Sequence, residues 1–223
     1  MESRSQAWSH GAARLAAALR RDEPLPSDAL REVLAGLRGG SLPGVWHPTG
    51  FVVLRLHRDE HGALRLHLWP SGTRERGRPC WPVHDHVWHL RSHVLCGTVW
   101  SHGFRVVDDP GGYAVLYAVD YADGRSSRMG RSTRRVSVHP QAPRRVEAGM
   151  RYEVDAGAFH ASRVEPGVSA ATLVATRPTD RPRPWVVGPG DGPDRVPVER
   201  PVAEPSLVQQ MLGRMQASLP GGE

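Results

Sequence analysis

The sequence predicts an all-β fold, an antiparallel jelly-roll barrel with N-terminal helices. Three observations carry that expectation. From Gly50 onward, apolar residues recur with a period of two in short runs. Turn signals separate these runs, and no helical interval lies between them. Glycine and proline are plentiful, 24 and 20 of 223 residues, as a turn-rich β protein requires.

Residues 1–43 read as a helical segment packed on the barrel, 44–190 as the barrel, and 191–223 as a proline-rich extension with a short helix. Ala12 to Arg21 is rich in alanine and leucine, a strong helix composition, and Pro24 and Pro26 break it. Ser27 is a good N-cap for a second helix. In that helix Leu30, Val33, Leu34 and Leu37 form one apolar stripe, and Gly39-Gly40 stops it. This pair is expected to cover one end of the barrel. Its proline-broken spacing is poor for a DNA-binding helix-turn-helix.

Phe51 to Arg58 and Ala63 to Trp69 predict a hairpin turning at Asp59-Glu60-His61-Gly62. On its second strand Leu64, Leu66 and Leu68 share one face, and Arg65, His67 and Trp69 share the other. If the leucines pack outward against helices, Arg65, His67 and Trp69 line the interior; if the leucines fill the core, that face is solvent. The interior alternative is preferred, because tryptophan is costly to leave wet. Residues 70–80 read as a polar loop. A strand through His84, then Val94 to Val107, and then Tyr113 to Tyr121 follow, with an Asp123-Gly124 turn. Residues 122–134 are arginine-rich and read as a long loop at the barrel mouth. Short strands are expected at Val136 to Val138, Arg145 to Glu147 and Tyr152 to Val154, and Ala170 to Arg177 closes the barrel. Pro178 to Pro205 is expected to be irregular, wrapped on the surface. Ser206 to Met215 reads as a terminal helix, with Leu207, Met211 and Met215 four apart.

The formal net charge is +6, and all 29 basic residues are arginine. They are scattered among 23 acidic residues and form no basic run, so a solvated surface is expected, not a nucleic-acid partner. Cys80 and Cys96 do not make a disulfide framework. No apolar run approaches a membrane span, and the N-terminus has no apolar signal segment. A cytoplasmic protein is expected.

The chemistry concentrates in HDHVWHLRSHVLCG, residues 84–97. On an extended chain His84 and His86 point the same way and Asp85 the other. Two imidazoles side by side supply part of a metal site. His160, in GMRYEVDAGAFH, is the candidate third ligand, following a glycine turn. His10, His47, His57, His61 and His139 sit in loops or flanks, where a structural or surface role is expected. His89 and His93 have the wrong strand parity relative to His86. His102, on the following strand, is a candidate acid or base, and Tyr117 a candidate hydrogen-bond or proton donor to bound oxygen.

These two stretches resemble the paired motifs of the cupin superfamily. In the first motif His84, His86 and Gly97 match at the family's spacings; Leu90 stands in the glutamate's place, and the leading glycine position is Arg78, one residue after Gly77. In the second, Gly149, Gly157 and His160 match, with Asp155 in place of the proline and Val164 in place of the asparagine. Three histidines without a carboxylate are similar to the cysteine dioxygenase-type thiol dioxygenases. The resemblance implies Fe(II) on His84, His86 and His160, with another divalent metal as the alternative. It also implies O₂ and a small anionic substrate, such as cysteine or a related thiol, and edge-to-edge pairing into a homodimer. The family's substrate arginine lies on an upstream strand, where Arg55 and Arg65 are both available; His67 and Trp69 are further candidate substrate contacts. The family's cysteine–tyrosine crosslink has no counterpart, since Leu90 cannot form it and no tyrosine follows His160. The alternatives are a lyase or isomerase using another divalent metal, and a non-catalytic small-molecule-binding cupin.

Overall fold

The computed structural model describes residues 8–38, 42–72, 74, 77, 79–122 and 125–219. The predicted Gly39-Gly40 stop, the Asp123-Gly124 turn and the motif position at Arg78 lie outside these residues. In chain order, α1 (Ser9–Arg20) and α2 (Ser27–Leu37) precede β1 (Val45–Trp46), β2 (Val52–Asp59), β3 (Gly62–Trp69), β4 (Trp88–Cys96) and β5 (Thr98–Asp108). Then come β6 (Ala114–Tyr121), β7 (Ser126–Pro140), β8 (Arg144–Glu147), β9 (Arg151–Val154) and β10 (Phe159–Arg163). The chain ends with β11 (Ala170–Pro178), β12 (Trp185–Pro189), β13 (Arg195–Glu199) and α3 (Pro205–Ala217).

The strands form two antiparallel sheets. One has the order β1-β2-β3-β11-β4-β9; the other runs β10-β5-β7-β6-β12, with β13 paired to β7 and β8 to β5. The predicted hairpin is β2-β3, with Val53 opposite His67 and Leu54 opposite Leu66. Pairing of β11 beside both β3 and β4 places the first sheet's middle between two hydrogen-bonded neighbours.

The two faces of the first sheet have different partners. Leu64, Leu66 and Leu68 pack with Leu15 and Leu19 of α1, Val33 and Leu37 of α2, and Leu212 of α3. The helices therefore cover the sheet's broad outer face, not an end of the molecule. Burying each such leucine contributes about 1.5–3 kcal/mol. The opposite face carries Val53, Trp69, Leu90, Val94 and Val174, which meet Val99 and Val146 of the second sheet. Arg65 and His67 share this inner face with Trp69, as strand alternation demands.

Several expectations are corrected. Ser27 is the first residue of α2; Pro26 holds the N-cap position, and no side chain caps it. Val94 to Val107 is not one strand, because Gly97, at φ +73°, turns the chain between β4 and β5. A Cβ there would stand 2.3 Å from the Ser169 carbonyl oxygen. The arginine-rich stretch at 122–134 is not a loop: most of it is the first half of β7, whose pairing to β6 and β13 leaves alternate side chains exposed. Residues 178–205 are not irregular either, for they carry β12 and β13, paired to β6 and β7. Pro197 is tolerated in β13 because that strand pairs on one side only. Among the described residues, no helix is long and apolar enough to cross a membrane.

Candidate metal centre

The His84–His86 stretch is extended, but it is not part of a long strand. Only His84 makes a bridge, and β4 begins at Trp88. His84 bridges both His160 of β10 and Val186 of β12, so the two ends of the second sheet's strand path meet through this one residue. The His84 N–H donates to the His160 carbonyl at 3.1 Å, and the His160 N–H donates back at 2.9 Å. On the other side the Asp85 N–H donates to the Trp185 carbonyl at 2.9 Å, and the Val187 N–H to the Val83 carbonyl at 2.9 Å.

Asp85 points away from the histidines and is buried. Its carboxylate accepts the Trp185 backbone N–H at 2.5 Å and the Arg181 Nη2 at 3.2 Å. Burial pushes its pKa up, while the Trp185 N–H and Arg181 pull it back. Asp85 thus anchors the segment that presents the two imidazoles. Gly157, at φ +80°, donates its N–H to the His86 carbonyl at 2.9 Å. This hydrogen bond ties the second glycine–histidine motif to the first.

The result is a cluster of His84, His86 and His160 whose ligand nitrogens all lie within 4.8 Å of one another. The ring centroids are 4.7 Å apart for His84–His160, 4.8 Å for His84–His86 and 4.9 Å for His86–His160. His84 Nδ1 lies 2.8 Å from the Pro82 carbonyl oxygen, and His160 Nδ1 lies 3.3 Å from that of Ala158. A carbonyl only accepts, so each Nδ1 carries the proton and each Nε2 keeps its lone pair. Burial lowers the pKa of all three rings: His160 falls to about 3, and His86 lies well below its ordinary value. Three neutral imidazoles, two of them with the tautomer fixed by a carbonyl, are a donor set that a divalent transition metal accepts. The cluster can hold a metal ion.

Beside the cluster lies a cavity with about 590 Å³ of empty space, open to solvent. Its walls come from both ends of the chain, with His47 and Thr49 near the start and Val186, Val198 and Arg200 near the end. Val119, Tyr121 and Met129, on β6 and β7, complete the wall together with Trp81, which packs on the same apolar cluster as Val119 and Met129. His47 stacks on Phe51 at 4.3 Å, and its ring lies 5.8 Å from that of His84. Thr49 N–H donates to His47 Nδ1 at 3.3 Å, so the ring proton sits on Nε2. Burial, then the neighbouring His84, hold His47 well below its ordinary pKa, and it stands at the wall as a neutral donor.

The other sequence-selected residues fall at different depths. Arg65 lies behind the cluster: its guanidinium sits 4.8 Å from the Trp88 ring, which in turn stacks on His86 at 5.4 Å. Arg65 Nε is buried without a hydrogen-bond partner among the described residues, and burial lowers the group's pKa to about 10. Arg55 pairs across from Arg65 but is exposed. His67 and Trp69 pack on Phe51 at 4.7 and 4.8 Å, and burial, with Arg65 adding, brings His67 to about 3. Tyr117 has the inward parity of Val119 but is wholly buried, with Trp81 packed on it at 4.6 Å. Tyr121, four residues further on that face, reaches the cavity instead. His102 pairs with Ala161, whereas His160 pairs with Gly103, so the His102 side chain lies on the face opposite His160. His89 and His93 alternate with inward Leu90 and face outward, where His89 meets Asp155 at 3.1 Å and His93 meets Arg151.

Sequence reasoning missed His47, Tyr121 and Arg200. Strand alternation from Tyr117 could have reached Tyr121, and Val196-x-Val198-x-Arg200 carries the same period. Nothing in the spacing marks His47.

No protein-family model matches this chain, and no curated protein matches it.

Proposed function

We propose that this chain is a cupin jelly-roll enzyme that uses a three-histidine Fe(II) centre to oxidise a small anionic substrate, a thiol being the first candidate, with O₂. The observation that carries this reading is the convergence of three neutral imidazoles, two with Nδ1 committed to a backbone carbonyl, beside an open cavity. The two antiparallel sheets and the motif glycines at their turns support the cupin assignment. Leu90, in the place of the family's glutamate, is packed among apolar residues, which supports a ligand set without a carboxylate.

Bound there, Fe(II) would retain its +2 charge and open positions, and would supply anion binding and electron transfer between substrate and O₂. The protein's own groups do the rest. His84, His86 and His160 hold the ion, and Asp85 and Gly157 hold those histidines. His47 offers an Nε2–H from the cavity wall, and the Tyr121 hydroxyl a second donor. Trp81, Val119 and Val186 exclude water from one side of the cavity. The buried Arg65 guanidinium raises the local potential and favours an anionic substrate.

The test is metal content of the full chain purified without chelator, beside His86→Ala. Iron-loaded protein, prepared anaerobically, is then exposed to O₂ with a panel of small thiols. Stoichiometric iron absent from His86→Ala, with thiol-dependent oxygen uptake, is the expected result. No metal in the parent protein after reconstitution would remove the centre. Metal without oxygen uptake on any thiol would remove the thiol oxidation and favour a lyase or isomerase.

A further inference from the structure

We propose that Trp88, held by Arg65, is the positioning residue for His86, its indole doing for that ring what a backbone carbonyl does for His84 and for His160. This rests on the metal-centre part of the reading above and is independent of the reaction assigned there.

The argument begins with what His86 lacks. His84 Nδ1 is committed to the Pro82 carbonyl at 2.8 Å, and His160 Nδ1 to that of Ala158 at 3.3 Å. Among the described residues, neither ring nitrogen of His86 has a hydrogen-bond partner. The torsion that turns an imidazole has broad wells, so such a ring has no fixed plane of its own. A metal ligand has to keep one plane, and partners outside the coordination sphere normally fix it. Trp88, the first residue of β4, supplies that restraint. Its ring lies 5.4 Å from that of His86, with only 17° between the planes. The His84 and His160 rings meet His86 at 88° and 49°, converging on it instead of lying flat against it.

Trp88 is itself held. The Arg65 guanidinium, reaching over from β3, lies 4.8 Å from the indole centroid. A cation over an indole face is attracted to it, more strongly where water is excluded. Arg65 keeps its charge at neutral pH, since burial brings it down only to about 10. The indole is present for its ring face and not for its N–H. Trp88 Nε1 is buried with no hydrogen-bond partner among the described residues, and so is Arg65 Nε. A buried donor without an acceptor is a cost that an aliphatic side chain would avoid. Leu90 and Val94, further along β4, fill the same inner core in that way. Two such costs on one stack mark it as kept for its geometry, and the stack ends on a ligand ring.

The experiment has two readouts on the full chain. Co(II) is titrated in and followed by visible absorption, which reports affinity and ligand geometry. Proton NMR of the metal-free chain follows the histidine ring C–H signals, those of His86 being identified by their loss in His86→Ala. The variants are Trp88→Leu, Trp88→Phe and Arg65→Lys, each checked for folding by its thermal midpoint. In the parent the His86 ring signals are expected upfield, because the ring lies against an indole face. Trp88→Leu is expected to bind cobalt about 10–100-fold more weakly, with an altered visible spectrum. It is also expected to lose the upfield shift at His86 and to leave His84 and His160 unmoved. Trp88→Phe restores a stacking ring and is expected within about threefold of the parent. Arg65→Lys keeps the charge, loses the planar contact and is expected to fall between. Cobalt affinity that follows Trp88 in this way supports the assignment even where no thiol is oxidised, so its fate is separate from that of the reaction. Parent affinity in a folded Trp88→Leu overturns it. So does Trp88→Phe as weak as Trp88→Leu, or signals of His84 and His160 that move as far as those of His86. Absence of the upfield shift in the parent overturns it without any variant. No cobalt bound by the parent removes the centre and this role together.

Discussion

His84 and His160 exchange both of their backbone hydrogen bonds, at 3.1 and 2.9 Å. Two residues paired in this way have side chains on one face of the ladder. The separation of their rings is therefore fixed by main-chain geometry, and the third ring, His86, follows by alternation along the same extended segment. The histidine cluster rests on one pairing, between the extended His84 segment and the edge strand β10.

Asp85 is the residue on which that pairing depends from behind. Replacing it by alanine leaves the part-buried Trp185 N–H without its side-chain acceptor and removes the Arg181 contact. Asp85→Ala is expected to destabilise the fold by about 1–3 kcal/mol and to weaken metal binding. Asp85→Asn keeps an oxygen for Trp185 and is expected to lose less on both counts. Urea unfolding and metal titration of the two variants check this; equal losses would show that the Trp185 bond does not matter.

Gly157 serves the same pairing from the other motif. At φ +80° a side chain is strained, and a Cβ would stand 2.6 Å from the Arg181 guanidinium carbon. Arg181 would have to shift, and it is the group that holds Asp85. Gly157→Ala is expected to cost about 1–2 kcal/mol and to lower metal affinity about 10–100-fold. Metal titration of the variant, alongside its thermal midpoint, decides the matter. A folded variant with parent affinity would show that this turn does not position His160.

The residues that were legible in the sequence are those whose neighbours are local. Val53, Leu54, Leu64 and Leu66 lie on a hairpin of short reach, so period two placed both strands and separated the two faces of the second, while the helices packed on its leucines decide which face turns inward. Gly97, Gly149 and Gly157 all have left-handed φ, so their spacing reported real turns. The site beyond the histidines was less legible because its walls come from long-range pairing. Tyr117 and Tyr121 share a parity, and only the packing of Trp81 on Tyr117 decides which one reaches the cavity. β7 was hidden by its arginines: one side of a long strand lies in solvent, and its polar composition reads as loop. Arg200 was hidden by the prolines around it, because Pro197 argues against a strand unless that strand pairs on one side.

The terminal helix α3 is part of the core and not a tail. Leu212 is about 1% exposed and packs in the cluster that joins the helices to the first sheet. Leu212→Ala is expected to destabilise the protein by about 2–4 kcal/mol, through lost transfer energy and the cavity left behind. The prediction is read from the urea midpoint at unchanged m-value. A shift under about 0.5 kcal/mol would mean that α3 is only loosely docked.

The N-terminal helix is pinned by an ion pair whose strength depends on pH. Arg20 Nη1 donates to Asp59 Oδ2 at 2.9 Å, and its Nε reaches the Thr176 carbonyl at 3.3 Å. The Arg20 hydrogen bond is the main reason that the Asp59 carboxyl is held at about 2, against an ordinary 3.8. A depressed carboxyl pKa stabilises the folded state above the unfolded value and ceases to do so as pH falls through the folded one. The contribution is therefore complete above about pH 4 and lost towards pH 2. Asp59→Asn keeps an oxygen for the His61 N–H but sets an NH2 group where Oδ2 accepted from Arg20, so it removes the charge and that hydrogen bond together. With the carboxylate partly exposed, the variant is expected to be less stable by about 1 kcal/mol at neutral pH. Urea unfolding at a series of pH values should show the two proteins converging as pH falls from 4 to 2. A gap that persists at the acid end would mean that Asp59 stabilises the hairpin by hydrogen bonding and not by its charge against Arg20.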